Sequence, residues 1–352
     1  LQNPDPLSHG GFDCVVVIPV LNEAACILGC VDSLLRQTVG EFEIVVADGG
    51  STDRTRALVA TAMESQPRLR LVENPGRLQS RALNLVAEQT TPSAKWLIRA
   101  DAHTIYPPNF VESLLAAAQQ TGASSVVVPM RTVGRDCFER AAAAAQNSRL
   151  GNGGSLHRLG SSSQFVDHGH HALFQLTHFR RVGGYDEAFS HNEDFELDHR
   201  IREAGGTIWL TAQAPVDYIP RSSPWALARQ YFRHGQGRAR TVMKHALIPK
   251  IRQVLPVAVL GCYVVGIGLS PWIPGALSLP VGHLLLCLAW GAMLGWRARD
   301  WCVTTSGICA AIMHLSWGVG FCTGVVRYLR TYRRNAFPSV RPITRGRAKE
   351  QS

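Results

Sequence analysis

Asp101 and His103 stand two residues apart where an apolar run ends, in the segment Ile98-Arg99-Ala100-Asp101-Ala102-His103. Residues 95–98 read as the end of a buried strand. In an extended chain an i, i+2 spacing puts both side chains on one face. A carboxylate oxygen beside an imidazole nitrogen at a strand's C-terminal end is the start of a divalent cation site. Two ligands do not fill a coordination shell, so a phosphate-bearing substrate would have to complete it. That requirement points to a nucleotide-sugar site. The plainer reading is a turn with a capping Asp and a solvated His, and the spacing alone favours it.

The elements around this segment would have to position it. Residues 14–19, Cys-Val-Val-Val-Ile-Pro, form a short apolar run suited to a strand buried on both faces of a parallel sheet. Residues 24–37 carry helical periodicity, with Ile27, Val31, Leu34 and Leu35 on one side. A second strand, 43–47, runs into Asp48-Gly49-Gly50-Ser51-Thr52-Asp53, a loop whose last three residues suit a helix N-cap. Helices over 55–63 and 78–89 alternate with strands over 69–72 and 96–100, and Pro107 and Pro108 open a helix ending near Gln120. Such alternation predicts a parallel, doubly wound sheet. Ligands of these sheets bind beyond the carboxyl ends of the strands, where Pro19, Asp48 and Asp101 would all lie.

After residue 120 the rhythm changes. A strand over 124–130 and an Ala-rich helix over 137–146 precede a Gly/Ser-rich loop, 151–163, expected to be mobile. His168, His170 and His171 lead into a strand over 172–176; they suit an acceptor pocket or ordinary packing better than a second metal site. A helix over 193–204, capped by Asn192, ends at Gly205-Gly206, and a short strand follows at 207–210.

Charge and hydropathy divide the chain. Its net charge is +10 over 352 residues, and no Asp or Glu falls between Tyr218 and Arg299. Arg221, Arg229, Arg233, Arg238, Arg240, Lys244, Lys250 and Arg252 precede an apolar zone, and a second basic run, 327–349, follows it. Basic flanks around apolar spans read as contacts with anionic headgroups on the cytoplasmic side. Nothing resembles a nucleic-acid recognition element. The apolar stretches are 254–269, 273–296 and 302–326; the last two are long enough to span a bilayer. Two crossings plus one re-entrant or interfacial segment would keep both basic flanks on one side. Nine cysteines without a CxxC pair read as reduced thiols, which also places the soluble part in the cytoplasm. Residues 1–13 are polar and do not read as a signal peptide.

Five motifs fall in an order that resembles a known family: Val-Ile-Pro-Val-Leu-Asn-Glu (17–23), Val-Ala-Asp-Gly-Gly-Ser-Thr-Asp (46–53), Arg-Ala-Asp-Ala-His (99–103), Val-Gly-Gly-Tyr-Asp-Glu (182–187) and Asn-Glu-Asp (192–194). Together they resemble the family 2 inverting glycosyltransferases of GT-A fold, and within them the succinoglycan-type glucosyltransferases. The resemblance implies that Asp48 binds the nucleotide base and ribose; in isolation the same Asp suits an Asx-turn. It implies that Pro19, Leu21 and Glu23 wall the nucleoside pocket, although Glu23 also suits a helix N-terminus. Asp101 and His103 correspond to the family's metal-binding Asp-x-Asp, with His in the third place, which favours Mn²⁺ over Mg²⁺; Ala100 and Asp101 are placed against the nucleotide sugar. Asp194 corresponds to the general base, with Glu193 orienting it or merely solvated. The Gln-x-x-Arg-Trp motif of processive relatives is absent: Tyr231, Phe232, Arg233 and His234 follow Gln230, so a polymer-extruding synthase is not expected. Arg233 and Arg238 would clamp a diphosphate or an acceptor phosphate, or simply face lipid headgroups. Arg77 and Arg81 are pyrophosphate candidates that equally suit a solvated helix face.

The expected architecture is therefore an α/β GT-A domain with a Rossmann-like mixed sheet over 13–223, after a polar segment at 1–12. A basic interfacial helix (224–252), a membrane region (253–326) and a basic tail (327–352) complete it. The expected activity moves a sugar, glucose by the resemblance, from UDP to a polyprenyl-diphosphate-linked saccharide, beside other polysaccharide-assembly proteins. Two alternatives stay open: loading a sugar onto a polyprenyl monophosphate, and an inactive membrane scaffold of the same fold. Three apolar stretches are too few for a transporter.

Overall fold

A computed structural model describes residues 13–91, 93–154, 162–189, 191–331 and 342–343. The expected polar segment at 1–12, the centre of the 151–163 loop and most of the basic tail lie outside the described residues. The chain divides into two compact units: residues 1–129, 160–216 and 339–352 form the first, and residues 130–159 and 217–338 the second.

The first unit begins with β1 (Cys14–Val20), a seven-residue strand buried along almost its whole length. It pairs in parallel with β2 (Phe42–Asp48) on one side and β4 (Trp96–Arg99) on the other, and β2 pairs in parallel with β3 (Leu69–Glu73). The crossovers contain α1 (Ile27–Leu35), α2 (Thr55–Met63) and α3 (Gln79–Gln89). Then α4 (Phe110–Thr121) ends at Gly122, whose φ of 66° needs no side chain. Val15, Val17, Val45, Leu83, Val86 and Leu97 form one core with Phe174, Phe179 and Tyr185 from later elements.

Pro129 splits the strand expected over 124–130 into β5 (Ser125–Val128) and β6 (Met130–Thr132). After α5 (Cys137–Gln146), α6 (Arg149–Asn152) and β7 (Gln164–Phe165) comes β8 (His170–Gln175), which enters the sheet between β4 and β5, antiparallel to both. The remaining elements are α7 (Leu176–Arg181), α8 (Glu193–Glu203), β9 (Ile208–Leu210) and β10 (Val216–Tyr218). The eight strands of the main sheet run β3-β2-β1-β4-β8-β5-β9-β7, while β10 pairs with β6. The sheet is thus mixed and not simply doubly wound. Its β4–β8 register, with Trp96 opposite Gln175 and Ile98 opposite Leu173, carries His170 to the level of Asp101.

The second unit is mainly helical, with the short β6–β10 pair beside its helices in the chain. It contains α5 and α6 together with α9 (Pro224–Lys244), α10 (Ile251–Leu269), α11 (Ser278–Ala298), α12 (Trp301–Thr304) and α13 (Ser306–Thr331). Three segments, Ile251–Leu269, Pro274–Ala298 and Trp301–Arg330, are long and apolar enough to cross a membrane. The basic helix α9 buries the small residues Gly235, Gly237, Ala239 and Thr241 on two sides, Gly235 and Ala239 on one and Gly237 and Thr241 on the other. A Cβ at Gly235 would strike the Trp317 carbonyl, and one at Gly320 would strike the Phe232 carbonyl, so α9 and α13 meet backbone to backbone.

One expectation is overturned here. Cys137 and Cys302 form a disulfide between the first residue of α5 and the second of α12. The reading of all nine cysteines as thiols rested on local spacings. A pair separated by 165 residues is closed only by the fold. The other seven cysteines are free.

Candidate active site

Two loops at the carboxyl ends of β1 and β2 are stitched together. Asn22, held at φ 59°, accepts from the backbone N–H groups of Thr52 (2.8 Å) and Asp53 (3.3 Å) through Oδ1, while its own N–H donates to Ser51 Oγ at 2.9 Å. The Glu23 N–H donates to Thr55 Oγ1 (2.9 Å) and the Ala24 N–H to Asp53 Oδ2 (3.1 Å). Asp48 is 2% exposed; its carboxylate accepts from the N–H groups of Gly50 and Ser51 and lies 3.4 Å from Arg56. The Asx-turn that its sequence allows is therefore present.

The next strand carries the charged centre. Arg99, the last residue of β4, is 8% exposed and places one guanidinium between two carboxylates. Its Nη1 donates to Asp194 Oδ1 at 2.9 Å, and its Nε lies 3.4 Å from Asp101 Oδ1. Tyr185 donates its hydroxyl to the same Asp194 oxygen at 2.8 Å. Asp194 itself sits in the first turn of α8. Asp101 is held from several directions: Gln79 Nε2 donates to Oδ1 at 3.2 Å, its N–H donates to Tyr106 Oη at 2.7 Å, and His170 Nε2 lies 3.6 Å from Oδ2.

The geometry of residues 101–103 differs from the expected extended one. Thr104 N–H donates to the Asp101 carbonyl at 3.0 Å, closing a turn with His103 exposed at its corner. The chain must leave the sheet here because β4 ends at Arg99, so the two-residue strand periodicity no longer applies. The imidazole recorded against the carboxylate is instead His170, delivered by the antiparallel register of β8.

Residues 15–183 match the family described as Glycosyl transferase family 2. Over 319 residues the chain is 41% identical to the succinoglycan biosynthesis protein ExoA of Rhizobium meliloti (strain 1021), covering 90% of this chain and 96% of that one. The chain belongs to glycosyl transferase family 2. A shorter stretch of 40 residues is 58% identical to a PGL/p-HBAD biosynthesis glycosyltransferase of Mycobacterium tuberculosis (strain ATCC 25618 / H37Rv), covering 11% of this chain and 16% of that one. In fold, this glycosyltransferase is similar to a mannosyltransferase of Pyrobaculum calidifontis solved with GDP-Man and Mn²⁺, with a TM-score of 0.54 over 89% of each chain at 20% identity. The sheet is that of the GT-A fold.

Electrostatics fit this glycosyltransferase's charged centre. Burial alone would raise the Asp101 carboxyl, but Arg99, His170 and His103 outweigh it and hold the group well below the usual carboxylate range. Burial works against the charge on Arg99 too, yet Asp194 and Asp101 keep its pKa well above the ordinary value. Burial and the adjacent Asp194 push the Glu193 carboxyl upward. Tyr185, raised by burial and by Asp194, stays a hydroxyl donor. An ionised Asp101 facing one imidazole, with a second close by, is a donor set suited to a divalent cation of the Mn²⁺ type.

Pro19, Leu21, Glu23, Asp48, Ala100, Asp101, His103 and Asp194 all belong to the first unit. Leu21 is 41% exposed beside the stitched loops, and Ala100 donates its N–H to the Val17 carbonyl at 2.9 Å. Arg233 and Arg238 lie on α9 in the second unit. Arg81 is occupied by Glu88 (2.9 Å) and Glu187 (3.2 Å), whereas Arg77 is exposed and has no acidic partner among the described residues. His168 Nδ1 lies 2.6 Å from Asp198 Oδ2. Sequence reasoning passed over Arg99, Tyr185, Gln79 and Asn22. The first carried a usable signal: a charged residue ending a buried strand requires an opposite charge nearby.

Proposed function

We propose that this enzyme is a membrane-anchored inverting hexosyltransferase of exopolysaccharide assembly. It moves one sugar, glucose by analogy with the succinoglycan relative, from UDP to a lipid-linked saccharide. The observation that carries the proposal is the orientation of Asp194, whose Oδ1 is pinned by Arg99 at 2.9 Å and Tyr185 at 2.8 Å beside Asp101. A carboxylate so fixed is placed to take the proton of an acceptor hydroxyl as its oxygen attacks the anomeric carbon. The bond from that carbon to the diphosphate breaks with inversion, and UDP leaves with the electron pair.

The stitched 21–24 and 48–55 loops wall the nucleoside, with Asp48 and Glu23 toward base and ribose. Arg77 is the cation available to the diphosphate from this side. A divalent ion on Asp101, His103 and His170, Mn²⁺ ahead of Mg²⁺, would supply Lewis-acid charge to the leaving diphosphate. The three long apolar helices support membrane anchoring. The basic residues of 221–252, next to the catalytic unit in the chain, support a cytoplasmic placement for it; the run after the third segment shares that side where two of the three segments cross. The disulfide removes the thiol argument for that orientation, which now rests on charge alone. Arg233 and Arg238 on α9 suit the phosphates of a polyprenyl-diphosphate acceptor.

The test is UDP release by the full chain in detergent, supplied with UDP-glucose, Mn²⁺ and a lipid extract. Asp194→Asn should lose about 10²- to 10⁴-fold in acceptor-dependent release while still binding UDP. Equal release from both proteins would remove Asp194 from the chemistry.

A further inference from the structure

Among the described residues, one group of metal-ligating side chains lies outside the active site. His283 and Cys287 are four residues apart on α11 and therefore share a helix face; His314 on α13 completes the group. Their donor atoms all lie within 4.8 Å of one another. His283 Nε2 is 3.2 Å from His314 Nδ1 and 3.5 Å from Cys287 Sγ. Around a tetrahedral ion with bonds of about 2.0–2.1 Å to nitrogen and about 2.3 Å to sulfur, those two separations would be about 3.3 and about 3.6 Å, and an ion would draw Cys287 and His314, which lie within 4.8 Å, to about 3.6 Å as well.

The outer nitrogens explain the orientation of the rings. His314 Nε2 lies 2.8 Å from the Leu150 carbonyl, which can only accept, so the proton is on Nε2 and the Nδ1 lone pair faces the cluster. Tyr263 Oη lies 3.1 Å from His283 Nδ1, on the side away from the cluster. Both imidazoles are thus fixed from behind, as the histidines of metal sites generally are. A purely hydrogen-bonded chain from Tyr263 through His283 and His314 to Leu150 would also satisfy both rings. That chain leaves Cys287 only a share of the single His283 Nε2 proton, at 3.5 Å. An ion uses all three groups.

We propose that His283, Cys287 and His314 form a site for a thiophilic transition ion of the Zn²⁺ class that ties α11 to α13. The thiolate and two imidazoles disfavour Mg²⁺ and Ca²⁺, which take oxygen, and set this site apart from the carboxylate-containing one at Asp101. Binding forms a metal–sulfur bond and releases the Cys287 thiol proton to solvent. The fourth position is left to water or another ligand.

The experiment uses the full chain, purified in detergent without a polyhistidine tag and stripped with chelator. It is titrated with Zn²⁺ by calorimetry and with Co²⁺ by absorption. The expected results are one high-affinity Zn²⁺ per chain and a thiolate-to-cobalt charge-transfer band, which a site lacking sulfur cannot produce. The band should vanish in Cys287→Ser and in His314→Gln. Tyr263→Phe should weaken Zn²⁺ about tenfold. Absence of the band in the wild-type chain, or its survival in Cys287→Ser, would overturn the proposal and leave the hydrogen-bonded chain. Because the wild-type spectrum decides alone, a variant that failed to fold would not rescue the idea.

Discussion

The two units hold their elements together by different means. In the first, β1, β2 and β4 press branched side chains into a shared core, and the charged groups at the strand ends are organised around one cation, Arg99. In the second, α9 and α13 approach until glycine positions face carbonyl oxygens, and no acidic residue occurs from Tyr218 to Arg299. The first unit spends its polar interactions on fixing carboxylates for chemistry. The second spends close backbone approach on fixing helices. The first should therefore be most sensitive to changes of charge, and the second to changes of volume.

The sharpest test is Arg99→Met. It leaves Asp101 and Asp194 without their shared cation, at side-chain exposures of only 22% and 19%. Breaking a buried pair costs about 3–5 kcal/mol, and the partial exposure here places the loss at the low end. Transfer should fall at least about 10²-fold as the base loses its orientation. Arg99→Lys should recover part of the thermal stability but little of the activity, since one ammonium cannot span both carboxylates as the guanidinium does. Thermal melting and UDP release in detergent read the two effects separately. Wild-type activity in Arg99→Met would end the idea that this unit is organised by charge.

Gly320→Val is the matching test in the second unit. Its Cβ has no room against the Phe232 carbonyl, so the helices must part, at a cost of about 1–3 kcal/mol. Val319→Ala, one residue earlier at a half-exposed position, should move stability by no more than about 0.5 kcal/mol. Equal melting temperatures for the two variants would mean that the α9–α13 approach is not tight in solution.

The same difference decides what the sequence made legible. Strand β1, helix α2 over 55–63 and helix α5 over 137–146 were readable because their signal is a local run or a helical period. The helix expected over 24–37 starts only at Ile27, because Asn22 takes a left-handed turn to clamp the neighbouring loop. The direction of β8 was not readable: a strand's own residues do not say which neighbour it joins, and its reversal is what brings His170 to Asp101. Asp48, Asp101 and Asp194 were legible as a motif order, but the residues that orient the last two were not. Arg99 and Tyr185 come from a strand end and a turn 86 positions apart. The Cys137–Cys302 bridge and the glycine contacts of α9 depend wholly on packing between distant helices.

The smallest effect expected is at His178, where charge is present in the first unit with no buried opposite partner among the described residues. Its ring lies 3.2 Å from Ser124 Oγ and 3.1 Å from the Arg181 guanidinium. Burial, and then Arg181, lower its pKa below the ordinary histidine value. The unfolded chain then binds the proton more readily than the native one. The neutral ring's contribution is complete above about pH 6.5 and is lost as pH falls from there through the lowered native value. His178→Gln removes that titration. Between about pH 7.5 and pH 5.5 the wild-type melting temperature should drop slightly more than that of the variant, by under about 2 °C. A larger difference would mean that unpaired charge matters in this unit as much as the charges gathered on Arg99. No difference would show Ser124 and solvent to be sufficient for either ring state.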